Sequence, residues 1–242
     1  MSNSVPTFLI GFDRYLQLSW CSAALEVALG DKSIDQAKEE IASVLTGNES
    51  RRKTFDILKR LWISPLQNNV EFAGRGATLY EAIGQSTLGP LNWGCAIATY
   101  PFFGHVSEIT GRLISLQGDC SVKEVQRRIA EIFGDRDSVS RAVSRVLQSQ
   151  ENWGMIERVE KGKRLVRLPS IALKNDKLVA WLVEAALRYQ RKAISLGSLQ
   201  SQAVLYPFVL DQRLGYLVSN SPMLEVRSEG PSNQFVALRE SI

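Results

Sequence analysis

Arg141 and Arg145 stand four residues apart in DSVSRAVSRVLQ, residues 137–148, and at that spacing two guanidinium groups share one face of a helix. An α-helix fits the major groove of duplex DNA, where one arginine can bond O6 and N7 of a guanine together. On the same polar face, Ser140 and Ser144 are small enough to let the helix backbone come close, and Gln148 carries an amide suited to adenine or a phosphate. Lys161, Lys163 and Arg164 cluster around Gly162, a pattern suited to the phosphate backbone or the minor groove. These eight residues form the candidate DNA-binding set.

Rival chemistries find little material. His105 is the only histidine and lies in an apolar stretch, where it reads as a structural residue with no base–nucleophile pairing suggested by spacing. No CxxC pair, HExxH motif or aspartate-rich loop is present, so neither a metal nor a cofactor is expected. Gly74-Arg75-Gly76 lacks the preceding strand and third glycine of a dinucleotide loop, and reads as a turn. Glu39, Glu40 and Glu108 fall at spacings expected of exposed helix faces. The chain therefore reads as non-enzymatic.

The elements that must position the arginines lie in residues 121–168. Val122, Val125, Ile129, Ile132 and Phe133 recur along one face of a first helix that Gly134 ends. Asp135 to Asp137 offer capping oxygens for a second helix, whose apolar stripe is Val139, Ala142, Val143, Val146 and Leu147. After Trp153-Gly154 the period drops towards two, which predicts strands over 155–159 and 164–168 joined by a basic turn and closed by Pro169. Two helices followed by such a ribbon read as a winged helix-turn-helix. A wing-shaped protein-contact module with a solvated basic face is the alternative reading.

Composition agrees with a soluble globular chain: 242 residues, 45% hydrophobic, 22% charged and a formal net charge of +4. Residues 121–168 hold 11 Lys+Arg against 7 Asp+Glu, so the whole excess falls in this segment. Cys21, Cys95 and Cys120 are scattered, odd in number and read as small buried groups in a reducing, cytoplasmic protein. Residues 1–14 have no basic start leading into a sufficient apolar run, so no signal peptide is expected. Residues 82–107 carry no Asp, Glu, Lys or Arg, yet two prolines and four glycines interrupt them; they read as buried core helices with no membrane partner.

The predicted organisation is mainly α. A helical bundle occupies residues 1–118, the winged helix-turn-helix 119–170, and a helix and hairpin 171–242. Helices are expected over 22–30, 33–45, 50–63, 77–84, 91–102 and 105–116, with a polar connection over 66–75. The longest helix is expected over 175–195, residues 202–210 as a strand or short helix, and 223–227 with 234–238 as a hairpin around Gly230-Pro231.

In this order of elements, with SRRKTFDILKRLW at 50–62 and SVSRAVSRVLQSQENWGMI at 138–156, the chain resembles the BrxA family, small NusB-like proteins of BREX phage-defence systems. The resemblance implies a helical NusB-like bundle, double-stranded DNA binding without catalysis and other phage-defence proteins as partners, with RNA a further candidate ligand. It carries over no catalytic residues. Two other functions fit the same residues: a dimeric transcriptional repressor, which needs two copies of the module on a palindromic site, and an adaptor that docks onto a larger complex.

Overall fold

The structure is a computed structural model that describes residues 9–228 and 233–239; the first eight residues of the stretch read for a signal peptide and the Gly230-Pro231 turn lie outside them. The protein is mainly helical, with three small sheets among the described residues. The first helix, α1 (Leu18–Leu29), ends at Gly30, whose φ of 87° is a left-handed cap. Ser33 and Gln36 form a reciprocal capping box at the start of α2 (Ile34–Val44). In α3 (Asn48–Leu58), Thr54, Ile57 and Leu58 are buried, and a π-helical turn over Lys59–Ile63 rotates Leu61 and Trp62 into the core.

The expected polar connection over 66–75 is replaced from Val70 onward by helix α4 (Val70–Ile83). Gly74-Arg75-Gly76 thus lies inside a helix, not in a turn. Packing overrides the low helix propensity of glycine here, because a Cβ on Gly76 would come within 2.9 Å of the Trp181 ring. Helix α5 (Leu88–Thr99) is buried at every position over 88–97 except Gly89, and α6 (Pro101–Gln117) opens on a proline in its first turn, where no backbone donor is lost.

Strand β1 (Asp119–Cys120) leads into α7 (Val122–Phe133) and α8 (Asp137–Asn152), then β2 (Ile156–Val159) and β3 (Arg164–Arg167). The sheet order is β1-β3-β2, antiparallel throughout. A short β4 (Ile171–Ala172) precedes α9 (Asp176–Gln190), which is shorter than the helix expected over 175–195. Arg191 ends it in a left-handed conformation at φ 54°, and β5 (Ile194–Ser195) follows, so α6 is the longest helix. Residues 202–210 contain both expected types: a 3-10 turn over Ala203–Leu205 and β6 (Phe208–Val209), parallel to β4. After α10 (Leu214–Ser219), β7 (Leu224–Ser228) and β8 (Gln234–Leu238) pair antiparallel as anticipated, with β5 added on the far side of β8.

One contiguous core runs from Phe12 to Val236 through all three anticipated segments. Within it, Trp181 of α9 stacks on Phe72 at 4.2 Å between ring centroids, with its indole N–H donating to the Phe72 carbonyl at 2.9 Å. The three cysteines are free and buried. Burial pushes the Cys120 thiol up to about 12, which keeps it protonated and unreactive.

Candidate nucleic-acid interface

Helix α7 begins with a capping box in which Ser121 accepts from the Glu124 backbone and the Glu124 carboxylate accepts from the Ser121 backbone. Helix α8 starts differently. Its N-cap is Arg136, no side chain caps it, and the expected capping role of Asp135 to Asp137 is not taken up; Asp137 sits instead in the first turn, where its charge still complements the helix dipole. The rest of α8 is held from below. Val139, Ala142, Val143, Val146 and Leu147 are buried, as their spacing predicts.

Polar contacts fix its far end. Ser149 Oγ accepts from the Leu16 backbone N–H at 2.9 Å, Asn152 Oδ1 from that of Leu18 at 2.8 Å, and Trp153 Nε1 donates to the Leu16 carbonyl at 3.0 Å. Fully buried Gln150 donates to Ser107 Oγ of α6 at 2.9 Å and accepts from the Tyr206 hydroxyl at 2.9 Å. The helix is therefore bolted to segments more than forty residues away on both sides.

On its outer side, Arg141 and Arg145 are both exposed. Arg141 makes no side-chain hydrogen bond or ion pair among the described residues, while Arg145 Nη1 donates to Gln148 Oε1 at 3.0 Å. Ser140 and Ser144 are half-buried, and Ser144 is turned towards α7: Gln126 donates to Ser144 Oγ at 3.2 Å and to the Ser140 backbone carbonyl at 3.0 Å, and Ser144 in turn donates to that carbonyl. Lys161 and Lys163 are exposed at the turn between β2 and β3. That turn carries three successive left-handed residues, Glu160 (φ 51°), Lys161 (φ 56°) and Gly162 (φ 85°), so two side-chain-bearing residues adopt a conformation that costs about 1 kcal/mol each.

Arg164 is placed apart from the other cations. Its guanidinium bonds both carboxylate oxygens of Asp119 and reaches Glu124 Oε2 at 3.3 Å. The bonded Arg164 guanidinium holds the Asp119 carboxyl below the usual carboxylate range, and the Ser121 cap, first, and Arg164 do the same for Glu124. Its charge is thus compensated within β1, α7 and β3. Arg158 likewise pairs with Glu151 at 2.8 Å, while Lys123 and Arg127 are exposed on α7. Asp119 lies outside the segment that the apolar periodicity marks, and nothing in its local pattern points to Arg164 45 residues later.

His105 sits half-buried against Phe133 and Tyr189. Its Nδ1 lies 3.2 Å from the Tyr189 hydroxyl, which donates to Glu108 at 2.6 Å, and burial lowers its pKa. Glu108 is only partly exposed, at 16% of its side chain, and also pairs with Arg112. No group of three potential metal ligands exists among the described residues, and none of their helices is long and apolar enough to cross a membrane. The chain matches no family model, no curated protein and no solved structure.

Proposed function

We propose that this protein is a non-enzymatic double-stranded DNA-binding protein that acts through α8 and the turn between β2 and β3. The observation that carries the reading is the exposure of Arg141 and Arg145 on one side of a helix whose other side is buried and bonded to three distant segments. The succession α6, β1, α7, α8, β2, β3 with sheet order β1-β3-β2 supports a winged helix-turn-helix in which α8 is the recognition helix. Lys161 and Lys163 on the wing then lie against phosphates, as do Lys123 and Arg127 of α7, while Arg164 braces the wing.

Fluorescence anisotropy with a duplex oligonucleotide tests this. Binding should weaken as salt rises. Arg141→Ala with Arg145→Ala should lower affinity at least about thirtyfold, equivalent to ~2 kcal/mol, with unchanged circular dichroism, since neither side chain touches the core. Unchanged affinity in the double variant removes α8 from the interface. An RNA duplex and a single strand in competition identify the preferred nucleic acid.

The resemblance to BrxA-like proteins supports a place in a bacterial phage-defence system, beside its other components. Neighbouring genes for a methyltransferase and a large ATPase are the expected accompaniment, and a genomic setting without them removes that part of the reading.

A further inference from the structure

A cleft of about 960 Å³ lies where the end of α6, the end of α9, β3 and the 3-10 turns over residues 196–205 meet. Its volume is at the upper end of the range for small-molecule sites and far exceeds what a bare phosphate needs. Three cations line it, Arg112 from α6, Arg167 from β3 and Lys192 just after α9, against a single carboxylate, Glu108. Arg112 and the Tyr189 hydroxyl already occupy that carboxylate. Lys192 is exposed and forms no ion pair among the described residues; Arg167 is exposed and bonds only a carbonyl.

The dipole of α9 accounts for Lys192, as for Arg188 and Arg191 beside it, but not for Arg167, which comes from a strand. Beside the cations, the walls offer the amides of Gln190 and Gln200 and the side chain of Leu116, which is 85% exposed. Cations for phosphates, amides for a base edge and an apolar side chain to cover together match one class of molecule.

The cleft is also wired to α8. Arg167 Nη1 donates to the Tyr206 carbonyl at 3.1 Å, and the Tyr206 hydroxyl donates to Gln150 of α8 at 2.9 Å. Gly111 lets this turn lie directly on α6: a Cβ there would be 2.3 Å from the Ala203 carbonyl oxygen. A ligand that pulls on Arg167 therefore acts on a buried polar chain that ends in the helix bearing Arg141 and Arg145.

We propose that this cleft binds a nucleoside phosphate, with Arg112, Arg167 and Lys192 on the phosphates, and that its occupancy alters duplex DNA binding through Arg167, Tyr206 and Gln150. The second half rests on the DNA-binding reading above; the first does not.

The test begins with calorimetric titration of the full chain by ATP, AMP and inorganic pyrophosphate without DNA. ATP should bind saturably and more tightly than pyrophosphate, and Lys192→Glu should weaken it about tenfold while leaving the melting temperature unchanged. No saturable binding, equal binding of pyrophosphate, or ATP affinity untouched in Lys192→Glu each overturns the site. A parallel loss of duplex affinity in Lys192→Glu without nucleotide assigns the cleft to the DNA path and also overturns it.

Duplex titrations with and without saturating ATP then read the coupling, expected to be fivefold or more. Tyr206→Phe should keep ATP binding and abolish that shift; a shift that persists in Tyr206→Phe, or none in the wild type, overturns the relay. Failure of the chain to bind duplex under any condition removes the DNA reading and the relay while the ATP titration still decides the site.

Discussion

Arg164 and Glu184 each show how a charged side chain is assigned by its partners. Arg164 belongs by sequence to a basic cluster, yet Asp119 and Glu124 claim it. Both carboxyls titrate below their ordinary value of about 4, so the folded state binds fewer protons there than the unfolded chain. The stability that they contribute is complete above the ordinary value and is lost as pH falls through the lower folded values. Protection factors of the β1 and β3 amides, corrected for intrinsic exchange, should therefore fall as pH drops below the ordinary carboxylate value, and Arg164→Gln should remove the part that comes from Asp119. Glu184, 2% exposed, holds Arg75 at 2.7 Å and Arg188 at 2.8 Å. Arg188 also lies 5.0 Å from the Phe72 ring centre and donates to Asn68 and Asn69. Because Glu184→Ala strands two partly covered guanidinium groups, urea denaturation should register a loss of about 3 kcal/mol.

At the scale of elements, two glycines inside helices predict opposite outcomes. A Cβ on Gly94 of α5 would lie 2.1 Å from the Trp181 ring, and a rigid indole in a filled core cannot yield, so Gly94→Ala should destabilise by at least about 2 kcal/mol. On α4, Gly74 is exposed with nothing within 4 Å of its would-be Cβ, so Gly74→Ala should stabilise by about 0.5–1 kcal/mol. Thermal melts of the two variants check both signs. The same contrast explains what was legible in the sequence. Helices α7 and α8 and strands β2 and β3 announce themselves because each exposes one face, so apolar periodicity marks them. Helix α4 hides behind Gly-Arg-Gly, whose second glycine, Gly76, answers to Trp181 more than a hundred residues later, and α9 stops at Arg191 without a glycine to mark the end. Within the candidate site, Arg141 and Arg145 follow from spacing alone, but the inward turn of Ser144 depends on Gln126, and the pairing of Arg164 on Asp119. Long-range partners leave no periodic trace.

For the whole molecule, the shared core predicts how the chain comes apart. Its five tryptophans, Trp20, Trp62, Trp93, Trp153 and Trp181, are all buried and sample the anticipated N-terminal, central and C-terminal segments. Unfolding followed by tryptophan fluorescence should therefore coincide with unfolding followed by far-ultraviolet circular dichroism in a single denaturant transition. Two separated transitions would show that the segments are held together more weakly than one continuous core requires. The socket around Trp181 has a further consequence, for synthesis. Gly76 and Gly94 are shaped to receive an indole that lies 87 residues beyond Gly94 in the chain. At translation rates of roughly 5–20 residues per second, that side chain arrives about 4–17 s after its seat has been made. During that interval the seat at Gly76 and Gly94 lacks the indole that fills it in the folded chain, so the nascent bundle is expected to leave apolar surface exposed until the ribosome has passed α9.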